Sequence, residues 1–93
     1  MLNPPVIDIA LPDLPPGAAA WVTSVSAANS KAPAELGRRL AELGFLPGEA
    51  VRIVARGMLS RAPIAVRIGT GTFALRLFEA ACIRVRPEQP QLP

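Results

Sequence analysis

The feature that most constrains this chain is a triple alternation in its second half. Val51, Ile53 and Ala55 interleave with Arg52, Val54 and Arg56; Ile64, Val66 and Ile68 interleave with Ala65 and Arg67; Phe73 and Leu75 interleave with Ala74 and Arg76. A period of two puts apolar side chains on one face and polar ones on the other, which is the pattern of a half-buried strand. The joins are short, residues 57 to 62 and then Gly69-Thr70-Gly71. A parallel crossover takes about a dozen residues or more, so these three strands form an antiparallel meander.

The flanking segments complete the order of elements. Eight of the eleven prolines lie at positions 4, 5, 12, 15, 16, 87, 90 and 93. Proline lacks a backbone donor and resists helix interiors and central strands. The chain therefore divides into a proline-rich leader at 1–16, a folded unit at 17–86 and a tail at 87–93. Ala20, Trp21, Val22, Thr23 and Val25 predict a first strand over about 18 to 28. From Pro33 the period changes: Leu36, Leu40 and Leu43 stand at i, i+4 and i+7 with Arg38, Arg39 and Glu42 elsewhere, an amphipathic helix over about 33 to 43.

Glu35–Arg39 and Arg38–Glu42 are spaced to pair along that helix. Gly44 occupies the position after it where a left-handed residue belongs, with Phe45 placed to touch Leu40 in a Schellman ending. Leu46-Pro47-Gly48-Glu49 then fits a type II turn. Leu77 to Ala81 reads as a short helical turn, and Ile83 and Val85 alternate with Arg84 and Arg86 in a last strand. Five short strands on tight connections suit a small closed antiparallel barrel with a filled interior.

Composition excludes most chemistry. The 93 residues contain no His and one Cys. That removes the usual general base, the commonest metal ligand and any internal disulfide. Ser24, Ser26, Ser30 and Ser60 have no activating partner pattern, no glycine loop precedes Lys and Ser or Thr, and no carboxylates are paired for acid–base work. No catalytic residue and no cofactor are expected. Glu79 and Cys82, three apart, could both meet a soft divalent ion, but two ligands make a weak site, and no metal site is assigned. The first 14 residues do not read as a secretory signal, and no stretch has the roughly 18 uninterrupted apolar residues of a membrane helix. A soluble protein of a reducing cytoplasm is the expectation.

The sequence pI near 10.5 raises a nucleic-acid partner. Residues 1 to 30 hold no Lys or Arg, however, and the ten basic residues that follow fall mostly on the polar phase of strands and helix. Phe45, Phe73 and Phe78 read as packed, which leaves Trp21 as the one debatable stacking platform for a basic nucleic-acid-binding barrel. The tip Gly57-Met58-Leu59-Ser60-Arg61 stands out, because hairpin tips are ordinarily polar. Met58 and Leu59 either fold back to plug the barrel end or, with Arg56 and Arg61 beside them, meet a partner protein. Val6, Ile7 and Ile9 give the leader a second apolar surface, packed on the barrel or added as a strand to another chain, including a weak homo-oligomer.

Leu11, Leu14 and Pro16-Gly17, then Leu40, Glu42-Leu43-Gly44-Phe45 and Pro47-Gly48, then Pro63-Ile64, and finally Leu75-Arg76, Glu79-Ala80, Ile83 and Val85 together form a pattern similar to the FeoA family of bacterial ferrous iron transport proteins. The resemblance implies an SH3-like barrel. It also implies a small cytoplasmic accessory to the membrane ferrous iron transporter of FeoB type, which carries a GTP-binding domain, without catalysis or iron carriage by this chain. On that reading Gly44, Pro47 and Gly48 set the backbone, Arg76 and Glu79 tie the last turn, and Leu40 and Phe45 are core. The leader before Leu11 is longer than the pattern requires. A similar barrel ends metal-dependent repressors, whose helix-turn-helix this chain has no room for.

Overall fold

The computed structural model describes residues 8–26, 35–57 and 63–88. Its elements run β1 (Ile9–Ala10), a 3₁₀ turn (Leu11–Asp13), β2 (Ala19–Val25), α1 (Glu35–Leu43), β3 (Ala50–Arg56), β4 (Ile64–Ile68), β5 (Gly71–Leu75), α2 (Leu77–Ala80) and β6 (Ile83–Pro87). Every strand pairing is antiparallel, and the order across the sheet is β1-β6-β2-β3-β4-β5. The meander β3-β4-β5 follows from the tight joins. The short α2 then carries the chain back so that β6 lies between β2 and β1.

Two features differ from the sequence expectation. There are six strands in place of five, because the leader contributes β1, with Ile9 opposite Val85 and Ala10 opposite Arg84. The sheet also does not close: β1 and β5 are its two ends. It curls around one core in which Leu11 and Leu14 are as fully buried as Ile53, Ile64 and Ile83. The leader from Asp8 onward is thus built into the fold. Asp8 accepts a hydrogen bond from the Thr23 hydroxyl at 2.8 Å, its carbonyl accepts one from Arg84 at 2.7 Å, and its carboxylate lies 3.6 Å from the same guanidinium. A strand that could have been added to another chain is, at Ile9–Ala10, used within this one. Val6 and Ile7 lie outside the described residues.

The helix ending forms as expected, and its hydrogen bonds give the reason. The Phe45 N–H reaches the Leu40 carbonyl at 3.1 Å and the Gly44 N–H reaches Ala41 at 3.0 Å, the two bonds of a Schellman motif. This requires a left-handed residue, and Gly44 has φ 117°. Leu40 and Phe45 are both buried, and the Phe45 ring meets Phe73 edge-on at 6.3 Å between centroids. The type II turn follows at once: Glu49 N–H bonds Leu46 O at 3.0 Å across Pro47 and Gly48. Helix pairing did not follow the sequence. The one ion pair among the described residues is Arg84–Asp8, so Glu35–Arg39 and Arg38–Glu42 stay apart. Such exposed pairs are worth only a few tenths of a kcal/mol, about what it costs to fix two long side chains.

Candidate functional site

The arginine at the end of β3 is placed by an irregularity that alternation does not show. Val51 pairs with Ile68 and Ile53 with Val66, but the next partners are Ala55 with Ala65 and Arg56 with Ile64, so Val54 is an extra residue in the ladder. A bulge of this kind reverses the faces beyond it. Ala55, expected inside, is exposed, and Arg56, expected on the outer face, stands opposite the buried Ile64. Its guanidinium turns to the leader, where one nitrogen donates to the carbonyls of Pro12 at 2.7 Å and Leu14 at 2.5 Å. Arg56 therefore locks the leader against the sheet at the base of the β3–β4 hairpin, which Gly57 N–H and Pro63 O close at 3.0 Å. Met58, Leu59 and Arg61 of the tip lie outside the described residues.

The last turn is tied through the backbone. Glu79 Oε1 accepts the Arg76 N–H at 2.7 Å, in place of an ion pair with the Arg76 guanidinium. This bond caps α2, whose own carbonyls bind Ala80 and Ala81. Cys82 is buried and its thiol donates to the Phe78 carbonyl at 3.3 Å. Among the described residues no three His, Cys, Asp or Glu side chains gather around one point.

Exposed apolar side chains are what this surface offers instead. Phe78, expected to be packed, is 46% exposed, and Leu77, Leu46, Val54 and Trp21 are also exposed. Phe78 and Glu79 line a cleft with Glu35, Leu36, Arg38, Arg39 and Glu42 of α1. Four-residue α2 is too short to bury both of its large side chains, because its inward position is taken by Ala80.

The outer face of the sheet carries a second feature that counting arginines did not bring out. Arg52 on β3 stands directly opposite Arg67 on β4, and Arg67 opposite Thr72 on β5. Like charges in directly opposed positions destabilise a ladder. Neither has a carboxylate within ion-pair distance among the described residues. Arg86 on β6 lies opposite Trp21 on the same face.

A FeoA-domain family model matches residues 9–87. The chain belongs to the FeoA family. The match begins where β1 begins. Among solved structures, FeoA from Stenotrophomonas maltophilia, an SH3 domain protein complexed with zinc, is 41% identical over 81% of this chain and 86% of its own, with a TM-score of 0.70. Iron(II) transport protein A from Clostridium thermocellum is 33% identical, with 85% of this chain and 45% of that one covered and a TM-score of 0.72. FeoA from Chlorobium tepidum is 28% identical, with 90% and 74% covered and a TM-score of 0.76. The SH3-like fold and the association of the family with ferrous iron transport are thereby established for this chain. A manganese-dependent transcriptional repressor shares the fold alone, at 24% identity and a TM-score of 0.75. The curated proteins contain no match. No helix among the described residues is long and apolar enough to cross a membrane.

Proposed function

We propose that this FeoA-family chain is a cytoplasmic accessory of a ferrous iron uptake system, acting by direct contact with the GTP-binding membrane iron transporter of FeoB type. The observation that carries the reading is the FeoA match over residues 9–87, the span of all the described elements. The absence of His from the sequence and of any three-ligand cluster among the described residues fits a protein that works on another protein. The contact surface is the β3–β4 hairpin, with Met58, Leu59 and Arg61 at its tip and Arg56 holding its base to the leader. Met and Arg are enriched at protein–protein interfaces.

The test is a Met58→Ser, Leu59→Ser double variant. It should fold with a melting temperature near that of the parent, lose co-purification with the transporter's cytoplasmic GTP-binding domain, and fail to support transporter-dependent ferrous iron uptake. Normal uptake by a well-folded double variant would overturn the assignment. Binding to DNA or RNA that weakens steeply with salt, alongside no transporter contact, would favour a basic nucleic-acid-binding barrel instead.

A further inference from the structure

Among the described residues, the β5 strand is an edge of the sheet. It ends the sheet, and its sequence Gly71-Thr72-Phe73-Ala74-Leu75 has no charge, no proline and no bulge against β4. Its register fixes which backbone groups are free. Ile68 and Gly71 flank a two-residue turn, Gly69-Thr70, whose first position has the positive φ, 56°, that a primed hairpin turn requires. The residues flanking such a turn exchange hydrogen bonds, and bonded and non-bonded pairs alternate from there. Gly71, Phe73 and Leu75 therefore bond β4, while the N–H and C=O groups of Thr72 and Ala74 point away from the sheet. No other backbone hydrogen bond among the described residues uses them.

The side chains beside this edge specify what would pair with it. Thr72 and Ala74 are exposed on the outer face, and the row through Thr72 continues to Arg67 and then Arg52. A strand added to β5 would place the residue opposite Thr72 in the same row. Strands are about 4.8 Å apart, so a carboxylate there lies within the combined reach of its own side chain and that of Arg67. It would relieve the Arg67–Arg52 opposition, which no carboxylate among the described residues offsets. On the inner side the added strand meets the half-buried Phe73, next to a cleft that Leu43 and Leu46 also line.

We infer that the β5 edge is a docking site for an extended segment of a partner protein, acidic at the positions facing Arg67 and apolar at the alternate ones. Main-chain bonds to Thr72 and Ala74 supply the pairing, and the arginines supply the selection. A second copy of this chain suits the edge less well, because β5 against β5 brings two Arg67 rows onto one face without a counter-charge. Nucleic acid suits it less well, since it offers no strand and the exposed Trp21 stands three strands away. The inference does not depend on the transporter being the partner.

The experiment uses the full chain and two nine-residue capped peptides, one alternating Glu and Val and one alternating Lys and Val. Binding is followed by calorimetry and by amide hydrogen exchange. The Glu–Val peptide should bind, the Lys–Val peptide should not, and exchange at Thr72 and Ala74 should slow at least about tenfold on binding. Arg67→Glu should weaken the Glu–Val complex about five- to tenfold, the effect of replacing an attractive exposed pair by a repulsive one. The Arg52→Glu, Arg67→Glu double variant should invert the preference to Lys–Val. Ala74→Pro removes an outward N–H that β4 does not use, and should abolish binding of either peptide. Equal binding of both peptides, unchanged binding by Ala74→Pro with intact folding, displacement of the peptide by oligothymidylate, or protection of Thr72 and Ala74 by self-association alone would each overturn the inference.

Discussion

Arg56 offers the sharpest measure of how the leader is held. Its Nη2 donates to two leader carbonyls, Pro12 O and Leu14 O, while the aliphatic stem lies on the inner side of β3 opposite Ile64. Arg56→Met keeps much of the stem and removes both bonds. A hydrogen bond from a charged donor is worth about 1.5–3 kcal/mol, and the two here share one nitrogen, so they do not add in full. The expected loss is about 2–3 kcal/mol. Leu11 and Leu14 sit on the same leader and are fully buried, so releasing it opens the core, and the loss should appear in global unfolding. For a domain of this size it corresponds to a fall in melting temperature of roughly 10 to 20 °C. Urea denaturation followed by circular dichroism gives the free energy, and limited proteolysis reports whether cleavage of the leader accelerates in step. An Arg56→Met variant within about 0.5 kcal/mol of the parent, at unchanged urea m-value, would show that the two carbonyl contacts do not hold the leader.

Three further substitutions have defined outcomes. Gly44→Ala puts a side chain at φ 117° where its Cβ makes only an ordinary 3.9 Å contact with Ile68, so the cost is purely of backbone, about 1–2 kcal/mol; Gly37→Ala, inside α1 with nothing within 4 Å, should instead stabilise by about 0.5–1 kcal/mol, and chemical denaturation of the pair checks the opposite signs. Leu14→Ala should lose about 2–5 kcal/mol by the same measurement, since this leader residue is fully buried within the core cluster; a loss under about 1 kcal/mol would mean the leader is dispensable.

What the sequence showed well was whatever local periodicity and turn chemistry control. The inward residues of β4 and β6, the leucine stripe of α1, and the Gly44 and Gly48 conformations all stand where their spacing puts them. Arg56 was misplaced because one extra residue at Val54 leaves every neighbour's identity unchanged while reversing the faces beyond it. Whether the leader packs on the barrel stays open in the sequence because prolines mark an irregular path without saying whether it crosses solvent or core; Leu11 and Leu14, apolar and three apart on either side of Pro12, are the available sign. The Arg52–Arg67 opposition depends on register between two strands, which neither strand's own pattern contains. Phe78 lies in a turn whose sequence looks compact, but a four-residue helix has one inward position, and Ala80 fills it.

The pairing of Ile9 with Val85, and of Asp8 with Arg84 beside it, joins the two ends of the described chain. On a ribosome the first of these residues emerges long before the second, so the leader must wait, uncovered, until almost all of the domain has been synthesised. Closing so long a loop is entropically the most demanding pairing in the molecule, and domains built on such distant contacts fold slowly. Circular permutation that joins residues 8 and 88 through a short linker should speed folding by making this contact local.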